Sequence, residues 1–343
     1  MQKMLVIRFS ALGDVAMTIP IVHSFARQHP ETQITVVSRK NVEGLFTNAP
    51  DNVRFRGVDL KEYAGICGLR RLFNELKQEH FAFVADLHGV LRTHILRAQF
   101  TLAGCKTAVI DKGRKEKRQL TRRKNKRLKP LKTSFERYGN VFEKLGFSFD
   151  IRFSSLFENR TAESDKWPLI AEKGGRKYLG VAPFAKHRGK ACPLEKTEQV
   201  IAHFAGNRDV RVFLFGGGAE EKQIIDDLIS KYPSVTSFIG RLNMYEELLL
   251  MSTLDLILSM DSANMHLASL VGTRVLSVWG ATHPYAGFLG WNQSENDTIQ
   301  TELHCRPCSV FGQKKCYRGD YACMNTIEAT VIIDKIEKII FAK

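Results

Sequence analysis

Short apolar runs alternate with longer amphipathic segments along the first half of the chain. Apolar residues spaced three and four apart predict helices, and the clearest of these lie at 15–29, 66–78 and 91–102. Continuous apolar runs predict buried strands at 5–9, 34–38, 53–58, 81–87 and 107–110. Strands of this kind, joined by helices, are typical of a parallel sheet that is covered on both faces.

The same alternation restarts after a polar stretch at 158–177. The second set of predicted strands lies at 178–184, 210–216, 235–240, 254–260 and 274–280. Helices are predicted at 194–206, 219–231, 244–252, 262–271 and 327–341. We therefore expect an α/β protein with two Rossmann-like, doubly wound domains that face each other across a cleft.

A chain of 343 residues is too long for one ordinary core and suits two domains. The pattern divides it into a first domain at 1–160, a second at 161–326 and a final helix at 327–343. We expect that helix to pack back toward the first domain. Ligands of doubly wound sheets bind beyond the carboxyl ends of the strands, so polar residues that follow each strand are the candidates for chemistry.

The apolar runs are too short to cross a membrane. None approaches the ~18–20 residues that a transmembrane helix needs. The opening MQKMLVIRFSALGD breaks at Gly13-Asp14, so it reads as a first strand rather than a signal peptide. The sequence predicts a cytoplasmic protein.

The charge is strongly positive, with 51 Lys and Arg against 36 Asp and Glu and a net charge of +15. Residues 112–132 alone hold twelve Lys or Arg and one Glu. Such a block repels itself, which predicts a mobile loop or an exposed helix and indicates an anionic partner. It lacks interleaved aromatic residues, which argues against single-stranded nucleic acid.

In the first domain, Asp14 and His88 each follow a predicted strand. Asp14 comes after Gly13 at the start of a helix, where an acidic side chain can simply cap the helix. The alternative is a carboxylate at the mouth of the first strand that takes a proton from an attacking hydroxyl. His88, with Asp86, lies at the end of the fourth strand and is a candidate for acceptor contacts or an ordinary turn residue.

In the second domain, the loop 182–193 carries three cations, Lys186, Arg188 and Lys190, beside a strand end. Cations in that position suit a pyrophosphate. A Gly-rich turn at 215–222 then leads into a helix with two early acidic residues, which suit ribose hydroxyls or the helix dipole.

The segment MDSANMHLASLVG at 260–272 is the most informative. A continuous apolar strand ends at Asp261-Ser262, and a helix that includes His266 starts at once. The free N–H groups at that helix start form an anion site. The chain has no Walker Lys-Ser/Thr motif, so these loops indicate a sugar-nucleotide site rather than a P-loop.

These motifs together resemble glycosyltransferase family 9, whose best-known members are the ADP-heptose–lipopolysaccharide heptosyltransferases. The resemblance rests on LVIRFSALGDVAMTIPIVHSF, DSANMH, the Gly-rich turn and GATHP at 280–284, and it covers nearly the whole chain. It implies a GT-B fold, with Asp14 as catalytic base. The donor-binding residues would be Lys186, Arg188, Lys190, Glu220 (Glu221 if the register slips by one), Asp261, Ser262 and His266. Acceptor binding is assigned to Ser10, Gly13, His88, Arg114, Lys115 and Lys117.

The resemblance also implies the reaction. An inverting, metal-independent enzyme would move heptose from ADP-heptose to a phosphate-rich lipopolysaccharide core, at the inner face of the cytoplasmic membrane. The donor loop has Ala185, Lys186 and Cys192 where well-characterised members have paired Thr residues and a Trp, so one alternative is a different nucleotide-sugar donor on the same scaffold. The basic block leaves a second alternative, a basic nucleic-acid-binding protein.

Four of the seven cysteines cluster late in the chain, at Cys305, Cys308, Cys316 and Cys323. The first pair has the C-x2-C spacing of a zinc site, but the second pair does not match it. We expect no cofactor and a reduced or partly disulfide-bonded loop, with tetrahedral zinc as the alternative.

Overall fold

Residues 2–158 and 173–342 are described by a computed structural model, in which they divide into two units. The first unit comprises Met1–Arg114 and Lys132–Leu156, and the second comprises Lys115–Leu131 and Phe157–Lys343. The predicted domain boundary between 160 and 161 lies outside the described residues. Residues 115–131, which the sequence pattern placed in the first domain, group with the second unit.

Five parallel strands form the sheet of the first unit. They are β1 (Gln2–Ile7), β2 (Thr32–Arg39), β3 (Val53–Val58), β4 (Phe83–Asp86) and β5 (Lys106–Val109). Their order is β3-β2-β1-β4-β5, and every pair is parallel, with Val6 facing Val36 on one side and Ala85 on the other. The order reverses between β1 and β4, so a crevice opens at their carboxyl ends.

Helices cover both faces of this sheet. They are α1 (Leu12–Ala16), α2 (Ile19–Gln28), α3 (Gly65–Lys77), α4 (Leu91–Leu102), α5 (Arg114–Thr121) and α6 (Ser134–Lys144). Leu72 of α3 and Phe100 of α4 join Leu5 and Ile7 of β1 in one buried cluster. Helix α5 begins in the first unit and continues into the second.

The second unit contains a six-stranded parallel sheet. Its strands are β6 (Lys177–Ala182), β7 (Val210–Leu214), β8 (Thr236–Ser237), β9 (Leu256–Met260), β10 (Val275–Trp279) and β11 (Thr298–Gln300). The order β11-β10-β9-β6-β7-β8 reverses between β6 and β9. The prediction of two doubly wound sheets is confirmed. Strand β11 was not predicted, because three residues are too few to show a strand pattern.

The predicted helices of this unit are confirmed to within two residues at each end, and α11 was not predicted. The helices are α7 (Leu194–Ala205), α8 (Ala219–Lys231), α9 (Met244–Ser252), α10 (Ala263–Leu270), α11 (Ala322–Asn325) and α12 (Ala329–Ile340). In α12, Ile332, Ile336 and Ile340 are buried in the same core as Phe204 of α7. Its apolar stripe therefore lies in the second unit, and the expected packing of this helix toward the first domain stays a prediction.

The basic segment, expected to be a mobile loop or an exposed helix, is partly helical and partly packed. Leu120 is fully buried and Lys117 is 8% exposed. The Lys117 ammonium lies 4.1 Å from the ring centre of Phe288, and the Arg123 guanidinium lies 4.1 Å from that of Tyr317. Attraction between cations and aromatic faces offsets part of the repulsion within the block.

None of the helices in the described ranges combines the length and the hydropathy that crossing a bilayer requires.

Candidate active site

The first candidate centre lies where β1 and β4 end. Asp14 occupies the first turn of α1, and its Oδ2 accepts a hydrogen bond from the Ala11 N–H at 3.1 Å. The same oxygen lies 2.7 Å from Nη2 of Arg8, whose side chain is 8% exposed. The two interpretations of Asp14 are therefore compatible, since it caps the backbone while its carboxylate, 28% exposed, remains open to a reactant.

Arg8 connects this carboxylate to the neighbouring strand. It follows β1 directly, and its Nη1 donates to the Leu87 carbonyl at 2.7 Å, just beyond β4. A charge-assisted bond to each side fixes the guanidinium, and with it the carboxylate. Sequence reasoning missed Arg8. The available signal was a cation that ends an otherwise apolar strand immediately before the Ser-Ala-Leu-Gly-Asp turn.

His88 lies at the other side of the same crevice. Its Nε2 is 3.5 Å from the Ser10 hydroxyl, and its backbone N–H donates to Asp86 Oδ1 at 3.0 Å. Burial lowers the pKa of His88 to about 3, with the charges of Arg8 and Lys112 adding to the effect. The imidazole is therefore neutral near pH 7 and can exchange hydrogen bonds with a sugar hydroxyl without carrying charge.

The remaining residues assigned to the acceptor lie in different surroundings. Gly13 is buried within α1. Arg114 and Lys115 are exposed in the first turn of α5. Lys117 is buried beneath the Phe288 ring, so its ammonium is not presented to solvent as the other two are.

The second candidate centre lies where β6 and β9 end. Nζ of Lys190 is 3.0 Å from Oδ2 of Asp261, and both side chains are largely buried, at 17% and 6% exposed. Lys190 closes the loop after β6, whereas Asp261 follows β9 directly. The fold thus brings together two residues 71 positions apart in sequence. They lie beyond the carboxyl ends of neighbouring strands, at the point where the strand order reverses.

Helix α10 begins directly beyond this pair. Ser262 is its N-cap residue and makes no side-chain cap bond, while its hydroxyl lies 3.3 Å from that of Ser259. His266 is buried, at 7% exposed, in the second turn. A lysine ammonium and the free N–H groups of a helix N-terminus are both groups that attract anions.

The other two cations of the loop after β6 differ from Lys190. Lys186 is exposed. Arg188 turns away from Asp261, donating to the Ala191 carbonyl at 2.9 Å and to Asn325 Oδ1 at 3.0 Å. Lys190 is therefore the cation that the described structure places at the end of β9.

The Gly-rich turn that follows β7 uses the second of its two acidic residues. Glu221 Oε2 accepts from the Gly217 N–H at 2.7 Å, whereas Glu220 is exposed. Glu247 of α9 was not predicted and lies on a small cavity with Phe215 and Phe238, which follow β7 and β8. Burial raises the pKa of Glu247 to about 7.

The late cysteines share one small cavity, which is lined by Cys305, Cys308, Cys316 and Cys323. All seven cysteines are free thiols, so the alternative of a partly disulfide-bonded loop does not describe this structure. Within 2–158 and 173–342, no three His, Cys, Asp or Glu side chains stand in a metal-coordinating arrangement.

Solved structures share this architecture across the whole chain. A glycosyl transferase family 9 protein from Veillonella parvula covers 100% of this chain and 98% of its own, with a TM-score of 0.73 at 16% identity. The E. coli heptosyltransferase WaaC with ADP-2-deoxy-2-fluoro heptose covers 98% and 99%, with a TM-score of 0.68 at 15% identity. The two Rossmann-like units thus define a GT-B glycosyltransferase fold.

Sequence comparison identifies the family within that class. The profile of "Glycosyltransferase family 9 (heptosyltransferase)" matches residues 69–317, and the chain belongs to this family. The lipooligosaccharide heptosyltransferase 2 of Campylobacter jejuni subsp. jejuni serotype O:6 is 21% identical over 334 residues, which are 96% of each chain. The resemblance read from the sequence motifs is confirmed.

Proposed function

We propose that this glycosyltransferase moves a heptose from ADP-heptose to the core oligosaccharide of a lipopolysaccharide. The observation that carries the proposal is the Lys190–Asp261 pair beside the N-terminus of α10, where a nucleoside diphosphate finds a cation and free N–H groups. The nature of the sugar is supported by a relative named for heptosyl transfer to lipooligosaccharide and by a related fold that holds an ADP-heptose analogue.

The reaction we propose is a single displacement. Asp14 takes the proton of an acceptor hydroxyl, whose oxygen forms a bond to the anomeric carbon of the donor as the bond from that carbon to the diphosphate oxygen breaks. A base in this role contributes roughly 10²–10⁴-fold to the rate. One displacement with no covalent intermediate inverts the anomeric configuration.

The leaving group is the nucleoside diphosphate, and its growing negative charge needs stabilisation. In this proposal Lys190 and the N–H groups at the start of α10 supply it, so no step requires a metal ion or a cofactor. Preorganised charges of this kind are generally the largest single contribution to the rate. Glu221 and the cavity walled by Phe215, Phe238 and Glu247 lie at the neighbouring strand ends, where the nucleoside would extend.

The acceptor is the second partner. In the first unit, His88 and Ser10 lie beside Asp14 and would hydrogen-bond a sugar hydroxyl. The exposed Arg114 and Lys115 would bind phosphate groups of an anionic, lipid-linked acceptor. Since the acceptor is anchored in lipid, we propose that the protein acts at the cytoplasmic face of the inner membrane and contacts that membrane peripherally.

A panel of nucleotide sugars tests the donor. Thermal shift is measured with ADP-heptose and with UDP- and GDP-sugars, for the native protein and for Lys190→Met. We expect ADP-heptose to raise the Tm of the native protein most, and the variant to lose most of that shift. A larger shift with another nucleotide sugar would assign that donor to the same site and reject the heptose.

A further inference from the structure

The ammonium of Lys126 is enclosed by four consecutive backbone carbonyls. Its Nζ lies 3.3 Å from the oxygen of His304, 2.9 Å from Cys305, 2.7 Å from Arg306 and 3.0 Å from Pro307. The side chain is half-buried, and burial lowers its pKa. A lysine has three N–H donors, and here these carbonyls engage all of them. Lys126 belongs to the basic segment but does not offer its charge to a soluble anion.

The stretch that Lys126 holds lies against the loop after β10. Arg306, 6% exposed, donates from Nη2 to the Thr282 carbonyl at 3.1 Å and from Nε to the Gly280 carbonyl. The N–H groups of Cys308 and Ser309 both donate to the Ala281 carbonyl, at 3.0 and 3.1 Å. The turn at 280–282 is therefore fixed from one side by residues that Lys126 anchors.

The same turn contacts the loop that carries Lys190. The Ala281 N–H donates to the Gly189 carbonyl at 2.7 Å. A Cβ added to Gly189 would lie 2.8 Å from the Cβ of Ala281, so the two backbones touch with no room to spare. Gly312, from the same late loop, lies directly against the Lys190 side chain, and a Cβ there would overlap it. The loop of Lys190 is thus supported by the 280–282 turn at Gly189, and the Lys190 side chain itself is packed against Gly312.

We propose that Lys126 is a positioning residue for the donor site, acting through residues 304–309 and the 280–282 turn to fix Lys190. The proposal rests on the proposed function of Lys190 in binding the donor diphosphate. It gives the basic segment two roles, since the exposed Arg114 and Lys115 serve the acceptor while Lys126 serves the donor. All the contacts in this path lie within the second unit.

The test compares Lys126→Met with Lys124→Met in the full-length protein. Both changes remove one positive charge from the same segment, but Lys124 is exposed. ADP affinity is measured by isothermal titration calorimetry, and KM is measured for donor and acceptor separately. We expect Lys126→Met to raise the ADP Kd and the donor KM about tenfold, which corresponds to ~1.4 kcal/mol. The acceptor KM should stay within twofold, and Lys124→Met should leave ADP affinity unchanged.

A labelling readout separates loss of position from loss of fold. Alkylation of Cys305 and Cys308 is followed by peptide mass spectrometry, with the exposed Cys67 of the first unit as reference. Lys126→Met should accelerate labelling of the two loop thiols relative to Cys67, whereas global unfolding would expose the buried Cys192 as well. If Lys126→Met unfolds, Lys126→Gln carries the test, because its amide still donates to carbonyls and should give an intermediate ADP Kd.

The outcomes distinguish the two proposals. If the native protein binds no ADP, the proposed function fails. If the native protein binds ADP and both lysine variants bind it equally well, the positioning role of Lys126 is wrong and the proposed function stands. Equal rises in acceptor KM for Lys124→Met and Lys126→Met would likewise reject it, since they would show a charge effect of the whole segment.

Discussion

Arg8 holds Asp14 across the point where the first sheet reverses its strand order. One guanidinium nitrogen lies 2.7 Å from the Asp14 carboxylate, and another donates at 2.7 Å to the carbonyl of Leu87 at the end of β4. The carboxylate proposed as the base is therefore held by Arg8, which follows β1. Arg8 is held in turn by the backbone just beyond β4.

Replacing Arg8 tests that arrangement. Arg8→Met keeps most of the side-chain volume but removes both charge-assisted bonds, so Asp14 loses its fixed orientation. We expect kcat/KM to fall by at least about tenfold, because small misplacements of a reacting group are costly. ADP affinity should not change, because the proposed ADP site lies in the second unit. Full transfer activity in this variant, measured under initial-rate conditions, would show that Arg8 does not contribute to catalysis.

Replacing Lys190 tests the leaving-group site. Lys190→Met should weaken ADP binding by tenfold or more, because a charge-assisted bond to phosphate is lost. It should also lower stability by roughly 3–5 kcal/mol, since it leaves the buried Asp261 carboxylate without its partner. Calorimetry with ADP and thermal melts report the two effects. Lys186→Met removes a charge from the same loop, but its side chain is exposed, so it should leave stability nearly unchanged. Comparable losses of stability in the two variants would contradict the assignment.

The neutral carboxyl of Glu247 predicts a pH dependence of stability. Its pKa is about 7 in the folded chain, against 4.5 for the ordinary group, because it is buried. Below pH 4.5 both states are protonated and the group is neutral in both. As pH rises toward 7 the unfolded state releases the proton first, so stability is lost across that window. Glu247→Gln should therefore stabilise the fold at pH 8, by about 3 kcal/mol. At pH 4 it should have little effect. Thermal melts of the native chain and the variant at both pH values test this prediction. An equal change in stability at the two pH values would show that the pKa of Glu247 is not raised in the folded chain.

The exposed cations of α5 predict a separate effect on the acceptor. Changing Arg114 and Lys115 together to Ala should raise the acceptor KM, and the effect should shrink as salt rises, because exposed charges are screened. Donor KM should not move. An acceptor KM that is unchanged at low salt would show that these two residues do not bind the acceptor.

Local patterns predicted most of the fold. The helix 244–252 was placed correctly because Asn243 and Glu246 form a capping box that defines its start and an apolar run fills its interior. The strand at 53–58 was bounded by polar residues and was also placed correctly. By contrast, β11 has only three residues and pairs with β10 alone, so its existence depends on the sheet rather than on its own sequence.

The same local patterns placed Asp261 and Lys190 after strands, and the strand order of the second sheet brings them together. The role of Lys126 could not be predicted, because its partners lie about 180 residues further along the chain. A cationic run in sequence looks uniform, and only the tertiary contacts separate Lys126 from its exposed neighbours.

The proposed role of Asp14 as the base in heptosyl transfer is tested by mass spectrometry of a truncated, heptose-free lipid acceptor. The acceptor is incubated with ADP-heptose and either the native chain or Asp14→Asn. We expect an acceptor heavier by one heptose with the native chain, and a rate at least about 10²-fold lower with the variant, while both bind ADP equally. Full transfer by Asp14→Asn, or no heptose added by the native chain, would contradict it.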